Sequence, residues 1–183
     1  MRLFTGLDLP RDLVLTLEEL QRRLKPAARI AWSPPANLHI TTKFIGQWPD
    51  TRIPELTAAL GSLPSRPAIH VTIRNTGFHP NPHSPRIFWC GVEAPGLHEL
   101  AADTDRTTES LGIASEKRPY SPHLTMARIR EGVNVQPLRE AVAALESREF
   151  GAFEAESWFL YRSTLRPNGS VYTKLAEFPL TKA

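Results

Sequence analysis

Apolar positions along the chain repeat with two different periods. Residues 3–7, 38–45, 69–78, 87–92, 124–129, 153–161 and 171–178 alternate or cluster β-branched and aromatic side chains, which predicts strands. Between them, residues 11–24, 53–60, 97–111 and 137–145 carry apolar side chains at helical spacing, and prolines punctuate the junctions. No low-complexity linker interrupts the series. The pattern predicts strands interleaved with helices.

The series also repeats. Arg2-Leu3-Phe4 falls on Arg86-Ile87-Phe88 (86 − 2 = 84), and Leu38-His39-Ile40-Thr41 falls on Pro122-His123-Leu124-Thr125 (123 − 39 = 84). The strand expected from Ile69 falls on Phe153 at the same offset (153 − 69 = 84). A duplicated unit is expected, about residues 1–80 and 85–163, with an extra strand over 170–178. Two copies related by a pseudo-twofold axis bring the histidines to face each other across a shared cleft.

In a strand, residues two apart share a face, so His39 projects with Thr41, and His123 with Thr125. Leu38, Ile40 and Phe44 then face the core, as do Leu124 and Met126, while Thr42 is the one polar departure on that face. Lys43 has the parity of His39 and offers a cation beside it. Imidazole titrates near neutrality, so one histidine can hold a proton while the other accepts one, without a metal. The threonine hydroxyls can hydrogen-bond phosphoryl oxygens. A single His-x-Thr tripeptide reads best as a structural histidine, and roughly one such tripeptide is expected by chance. The pairing at one offset is what points to catalysis.

Composition narrows the setting. The 183 residues suffice for one sizeable domain, and 22 Lys and Arg against 19 Asp and Glu leave a mild basic bias that suits an anionic partner such as RNA. The one cysteine, Cys90, lies in an apolar run and reads as a buried small hydrophobe. Asp8 and Pro10 interrupt the N-terminal apolar stretch before a signal or membrane segment can form, so a soluble, cytoplasmic protein is expected. His79 and His83 sit in a Pro-rich turn without a carboxylate or cysteine cluster, and no metal, nucleotide cofactor or phosphate-cradling glycine loop is implied. Lys117, Arg118 and Arg130 flank the second motif and read first as solvated surface.

These segments together resemble the two-histidine phosphoesterase superfamily, and within it the RNA 2',3'-cyclic phosphodiesterases, the LigT-like or 2'-5' RNA ligase family. The resemblance rests on Arg2-Leu3-Phe4 with Asp8-Leu9-Pro10, on Trp32-Ser33-Pro34 with Asn37-Leu38-His39-Ile40-Thr41, and on Lys43-Phe44-Ile45-Gly46. It continues through Pro85-Arg86, Pro122-His123-Leu124-Thr125-Met126-Ala127-Arg128, Ser163-x-Leu165-x-Pro167-x-Gly169 and Phe178-Pro179-Leu180. It implies an α+β, bilobal fold of two antiparallel-rich sheets flanked by helices, with both motifs lining a central cleft. It also implies hydrolysis of an RNA terminal 2',3'-cyclic phosphate to a 2'-phosphate, with His39 and His123 catalytic and with RNA ends or nucleoside 2',3'-cyclic phosphates as partners; a monomer is expected.

The resemblance makes His39 the acid and His123 the base, although the repeat itself leaves the two interchangeable. It also places a phosphate-binding arginine at Arg128. Unbroken alternation turns Arg128 away from His123, so a bulge or strand end must re-aim it. Tyr120 is either a base-stacking aromatic or a core tyrosine. Two other readings stay open: a ligase or phosphodiesterase acting on another 2'-linked or cyclic nucleotide, and a nonenzymatic RNA-binding module. Arginines and aromatics suffice for RNA affinity, so a duplicated acid and base pair argues against the binding module.

Overall fold

The structure, a computed structural model, describes residues 1–167 and 169–181. The first half of the chain supplies β1 (Arg2–Leu7), α1 (Arg11–Leu24), the short β2 (Ala31–Trp32), β3 (Ile40–Gln47), α2 (Ile53–Gly61) and β4 (Ile69–His79). The second supplies β5 (Ile87–Glu93), α3 (Gly96–Ser110), β6 (His123–Arg128), α4 (Gln136–Ala143), β7 (Glu149–Ala155), β8 (Ser157–Arg166) and β9 (Gly169–Pro179). The fold is α+β, as the family resemblance implies. The stretch expected as one strand over 153–161 is two strands, broken at Glu156, where the chain passes from one lobe to the other.

The strands run in the order β7-β4-β5-β6-β3-β1-β8-β9, with β2 beside β6. The two expected sheets are thus two four-stranded antiparallel lobes, joined where β3 meets β6 through the pair Ile40 and Leu124. Counted outward from that seam, β6-β5-β4-β7 answers β3-β1-β8-β9. The halves therefore exchange strands: β4 of the first half pairs with β5, while β8 of the second pairs with β1 and carries β9 with it. The match of Ile69 to Phe153 does not hold in space, because β4 and β7 lie side by side with Val71 opposite Phe153.

Helices cover one face of this curled sheet. In α1 the buried residues Leu13, Leu17, Leu20, Gln21 and Leu24 recur at three- and four-residue spacing, so one stripe faces inward. Burying each leucine contributes about 2 kcal/mol, which ties α1 to β7 and α4. Helix α3 packs on β3 and on α2. One continuous apolar core runs beneath both lobes and includes Ile40, Phe88, Cys90, Leu124 and Met126. Burial pushes the Cys90 thiol well up, so it is an inert core residue. No described helix is long and apolar enough to cross a membrane.

Candidate active site

Both motif strands carry a bulge immediately after the motif. In β3, Thr41 faces Gly6 and Lys43 faces Thr5, which leaves Thr42 unpaired in the ladder. In β6, Thr125 faces Trp89 and Ala127 faces Phe88, which leaves Met126 unpaired. An extra residue reverses the alternation beyond it. Two successive buried residues mark each reversal, Thr42 with Lys43 and Met126 with Ala127. The displaced groups are satisfied elsewhere: the Met126 carbonyl accepts the Ser33 amide at 2.9 Å, and the buried Thr42 hydroxyl lies 2.8 Å from that of Thr5.

The seam between lobes fixes the relation of the motifs. Ile40 and Leu124 pair and point into the core. His39 and Thr41 flank Ile40, and His123 and Thr125 flank Leu124, so the two motifs meet at this pair. All four side chains share the face away from the helices. They lie together at the seam between the lobes.

The two imidazoles are held in the same way. His39 Nδ1 lies 2.7 Å from the Asn37 carbonyl, and His123 Nδ1 lies 2.9 Å from the Ser121 carbonyl. A carbonyl can only accept, so each Nδ1 carries hydrogen and each Nε2 is the edge turned away from that anchor. His39 Nε2 stands 3.0 Å from the Thr41 hydroxyl. His39 is half-buried and His123 exposed. Burial lowers the His39 pKa; the Asn37 carbonyl and the Asp8 carboxylate oppose that, while Arg128 and His123 reinforce it.

Arg128 lies on the cleft side because the Met126 bulge re-aims it, and it is exposed. Among the described residues no carboxylate pairs with its guanidinium. Lys43 corrects an expectation. The Thr42 bulge turns it onto the helix face, where its ammonium is buried, 2.5 Å from Asp105 Oδ1 and 2.7 Å from the Ala114 carbonyl. Phe44 is corrected by the same reversal: it leaves the core and stands 57% exposed on the cleft side, in the place that Arg128 holds in the other lobe (128 − 84 = 44).

Tyr120 resolves toward the structural reading. It packs against the core and edge-on to His98, and donates its hydroxyl to the Thr41 carbonyl at 2.8 Å. It positions the first motif from the loop before the second. Ser33 does the converse, donating to the Thr125 carbonyl at 2.8 Å. A third His-x-Thr tripeptide, His70-Val71-Thr72, lies on β4, where His70 is exposed and bonded to Glu154 at 2.6 Å. Lys117, Arg118 and Arg130 are exposed. Among the described residues no cluster of three or more His, Cys, Asp or Glu is placed to hold a metal ion.

Periodicity missed an aromatic group on the cleft face of the first lobe. Phe4 stacks on Tyr161 with centroids 4.9 Å apart and lies 4.7 Å from the His39 ring. Tyr172 meets both His39 and Phe4 edge-on at 5.0 Å. With Phe159 these residues form a cluster separate from the main core. Their alternation in β1, β8 and β9 resembles that of any half-buried strand, so only the sheet order shows which face they occupy.

This fold and this pair of histidines define a two-histidine phosphoesterase, and the comparisons agree. The model of the LigT like Phosphoesterase family matches residues 7–89 and 91–172, two stretches whose starts lie 84 residues apart (91 − 7), as the histidines do. The chain belongs to this family. It is 32% identical to an RNA 2',3'-cyclic phosphodiesterase of Methanocaldococcus jannaschii over 97% of this chain and all of that protein. It is 32% identical to a Thermus thermophilus protein of the same description, over 98% of this chain and 90% of that one. A crystal structure of a Thermus thermophilus protein superposes with a TM-score of 0.82 at 30% identity, covering 100% of this chain and 99% of that one. Escherichia coli LigT in its apo form has the same fold, with a TM-score of 0.80.

Proposed function

We propose that this chain hydrolyses RNA terminal 2',3'-cyclic phosphates to 2'-phosphates by metal-independent acid and base catalysis. The carrying observation is the pair of imidazoles at one seam, each anchored at Nδ1 by the carbonyl two residues upstream, which leaves Nε2 as the proton-transferring edge, that of His39 beside the Thr41 hydroxyl. The curated relatives' description supplies the substrate class. In this reading His123 Nε2 takes the proton of a water that attacks phosphorus in line. His39 Nε2 protonates the departing ribose 3' oxygen, the P–O3' bond breaks, and the phosphate stays on O2'. Thr41, Thr125 and Arg128 hold the nonbridging oxygens as charge builds on them.

The lowered pKa of free His39 fits an acid that is charged by its substrate. A phosphodiester anion between the histidines favours the imidazolium, so the proton is held when the substrate is present. We take the chain to act as a cytoplasmic monomer and as a single domain built from a duplicated unit. Incubation with RNA ending in a 2',3'-cyclic phosphate, in the presence of chelator, should yield the 2'-phosphate. Loss of turnover in chelator that returns with added metal refutes the mechanism. His39→Ala and His123→Ala should each lower turnover roughly 10²-fold or more.

A further inference from the structure

The two lobes present unlike surfaces to the cleft. Beside His39 a recess of about 400 Å³ opens between the segment before β3 and strands β8 and β9, lined by Asp8, Asn37, Tyr161, Tyr172 and Lys174 among others. Tyr161 is 5% exposed, and its hydroxyl, buried, has no hydrogen-bond partner. An unsatisfied buried hydroxyl is a group that a ligand can complete. Asp8 and Lys174 form an ion pair of 2.6 Å at the same recess, about half exposed on both sides. Carboxylate, ammonium, phenol and an aromatic wall thus converge within one pocket. The other lobe has Trp89 over Gly77, where an added Cβ would lie 2.1 Å from the indole, and beyond it the paired charges Arg74 with Glu93 and His70 with Glu154.

We propose that this recess is a nucleobase subsite that takes the base of the nucleoside bearing the cyclic phosphate and prefers guanine. Guanine alone among the four RNA bases offers two adjacent N–H donors, N1 and N2, beside the acceptor O6 on one edge. A carboxylate accepts from both donors, as Asp8 is placed to do, while the neighbouring Lys174 ammonium or the Tyr161 hydroxyl donates to O6. Tyr172 supplies the aromatic wall along which a base packs. With the base held in this lobe the substrate takes one orientation between His39 and His123. The asymmetry of the recess thereby orients a substrate that the near-symmetric histidines alone cannot orient. The subsite rests on the proposed phosphodiesterase reading.

The test is the rate of hydrolysis of the four nucleoside 2',3'-cyclic phosphates, and of dinucleotides varied at each base. Guanosine at the phosphate-bearing position should give the highest kcat/KM, roughly tenfold or more above the other three. Asp8→Asn should abolish that preference. Tyr161→Phe, which removes only the orphaned hydroxyl, should lower kcat/KM on guanosine and leave an abasic cyclic-phosphate end unaffected. Equal rates on all four bases, or a preference that follows the adjoining base instead, overturn the subsite while leaving the phosphodiesterase reading intact. Failure to hydrolyse any of them overturns that reading first.

Discussion

His39 is the residue whose surroundings depart furthest from those of an exposed imidazole, and this has consequences in both stability and rate. Burial disfavours its cation and lowers its pKa from 6.5. The unfolded chain then binds this proton more readily than the folded one, so stability falls as pH drops from about 6.5 through the lowered folded value. Chemical denaturation of wild type and His39→Gln at pH 7.5 and 5 should show the smaller loss in the variant. For catalysis, an acid that must be protonated sets the alkaline limb of the pH profile. That limb should lie at higher pH in kcat, where the substrate anion is bound, than in kcat/KM, which reports the free protein. Asp8 raises the His39 pKa, so Asp8→Asn should move the kcat/KM limb to lower pH. Coincident limbs in the two proteins count against Asp8 as the group that helps charge His39.

At the scale of the element, the two bulges decide which residues reach the cleft, and they are also where sequence reading stops. Alternation placed His39 with Thr41 and His123 with Thr125 correctly, because the bulges follow these pairs. Beyond them it put Phe44 in the core, Lys43 in the cleft and Arg128 away from it, and the extra residue directly after each motif reverses all three. Arg128 was recoverable only because the family resemblance demanded a break. Thr42, polar in an apolar row, was the one local sign of the first bulge, while apolar Met126 gave none for the second. The sheet order, with its exchanged strands, was equally hidden, since no local propensity says which lobe β4 or β8 joins.

The β3 bulge depends on Gly6, whose Cβ, if present, would lie 2.4 Å from the Ile40 carbonyl. Gly6→Ala must push β1 from β3 one residue away from His39. A loss of about 1–3 kcal/mol in denaturation is expected, with kcat falling more than KM rises, because the imidazole is displaced from a reacting geometry. A Gly6→Ala protein with unchanged kcat shows that the close approach does not position the histidine.

For the whole molecule, the lobes are joined less by their single strand pair than by what crosses the seam. Tyr120 reaches from the second motif's loop to Thr41, Ser33 reaches to Thr125, and Lys43 of β3 is buried against Asp105 of α3. Burial alone would raise the Asp105 carboxyl, but Lys43, Ser115 and the Glu116 amide together hold it below the usual range. Its share of the stability is therefore present above about pH 4 and is lost as pH falls through the depressed value. Lys43→Met leaves the half-buried Asp105 with only Ser115 and the Glu116 amide and should cost about 1–3 kcal/mol, the range for losing a hydrogen bond to a charged group. The double variant Lys43→Met with Asp105→Leu should recover most of that, since apolar replacement of both partners removes the unpaired charge. Denaturation followed separately at Trp89 in one lobe and Trp158 in the other should stay coincident in wild type, because the crossed elements leave neither lobe a core of its own. Were Lys43 instead a phosphate ligand, Lys43→Met would raise KM at unchanged stability, and the double variant would recover nothing. Measuring both quantities on the same two proteins separates a lysine that holds the lobes together from one that holds the substrate.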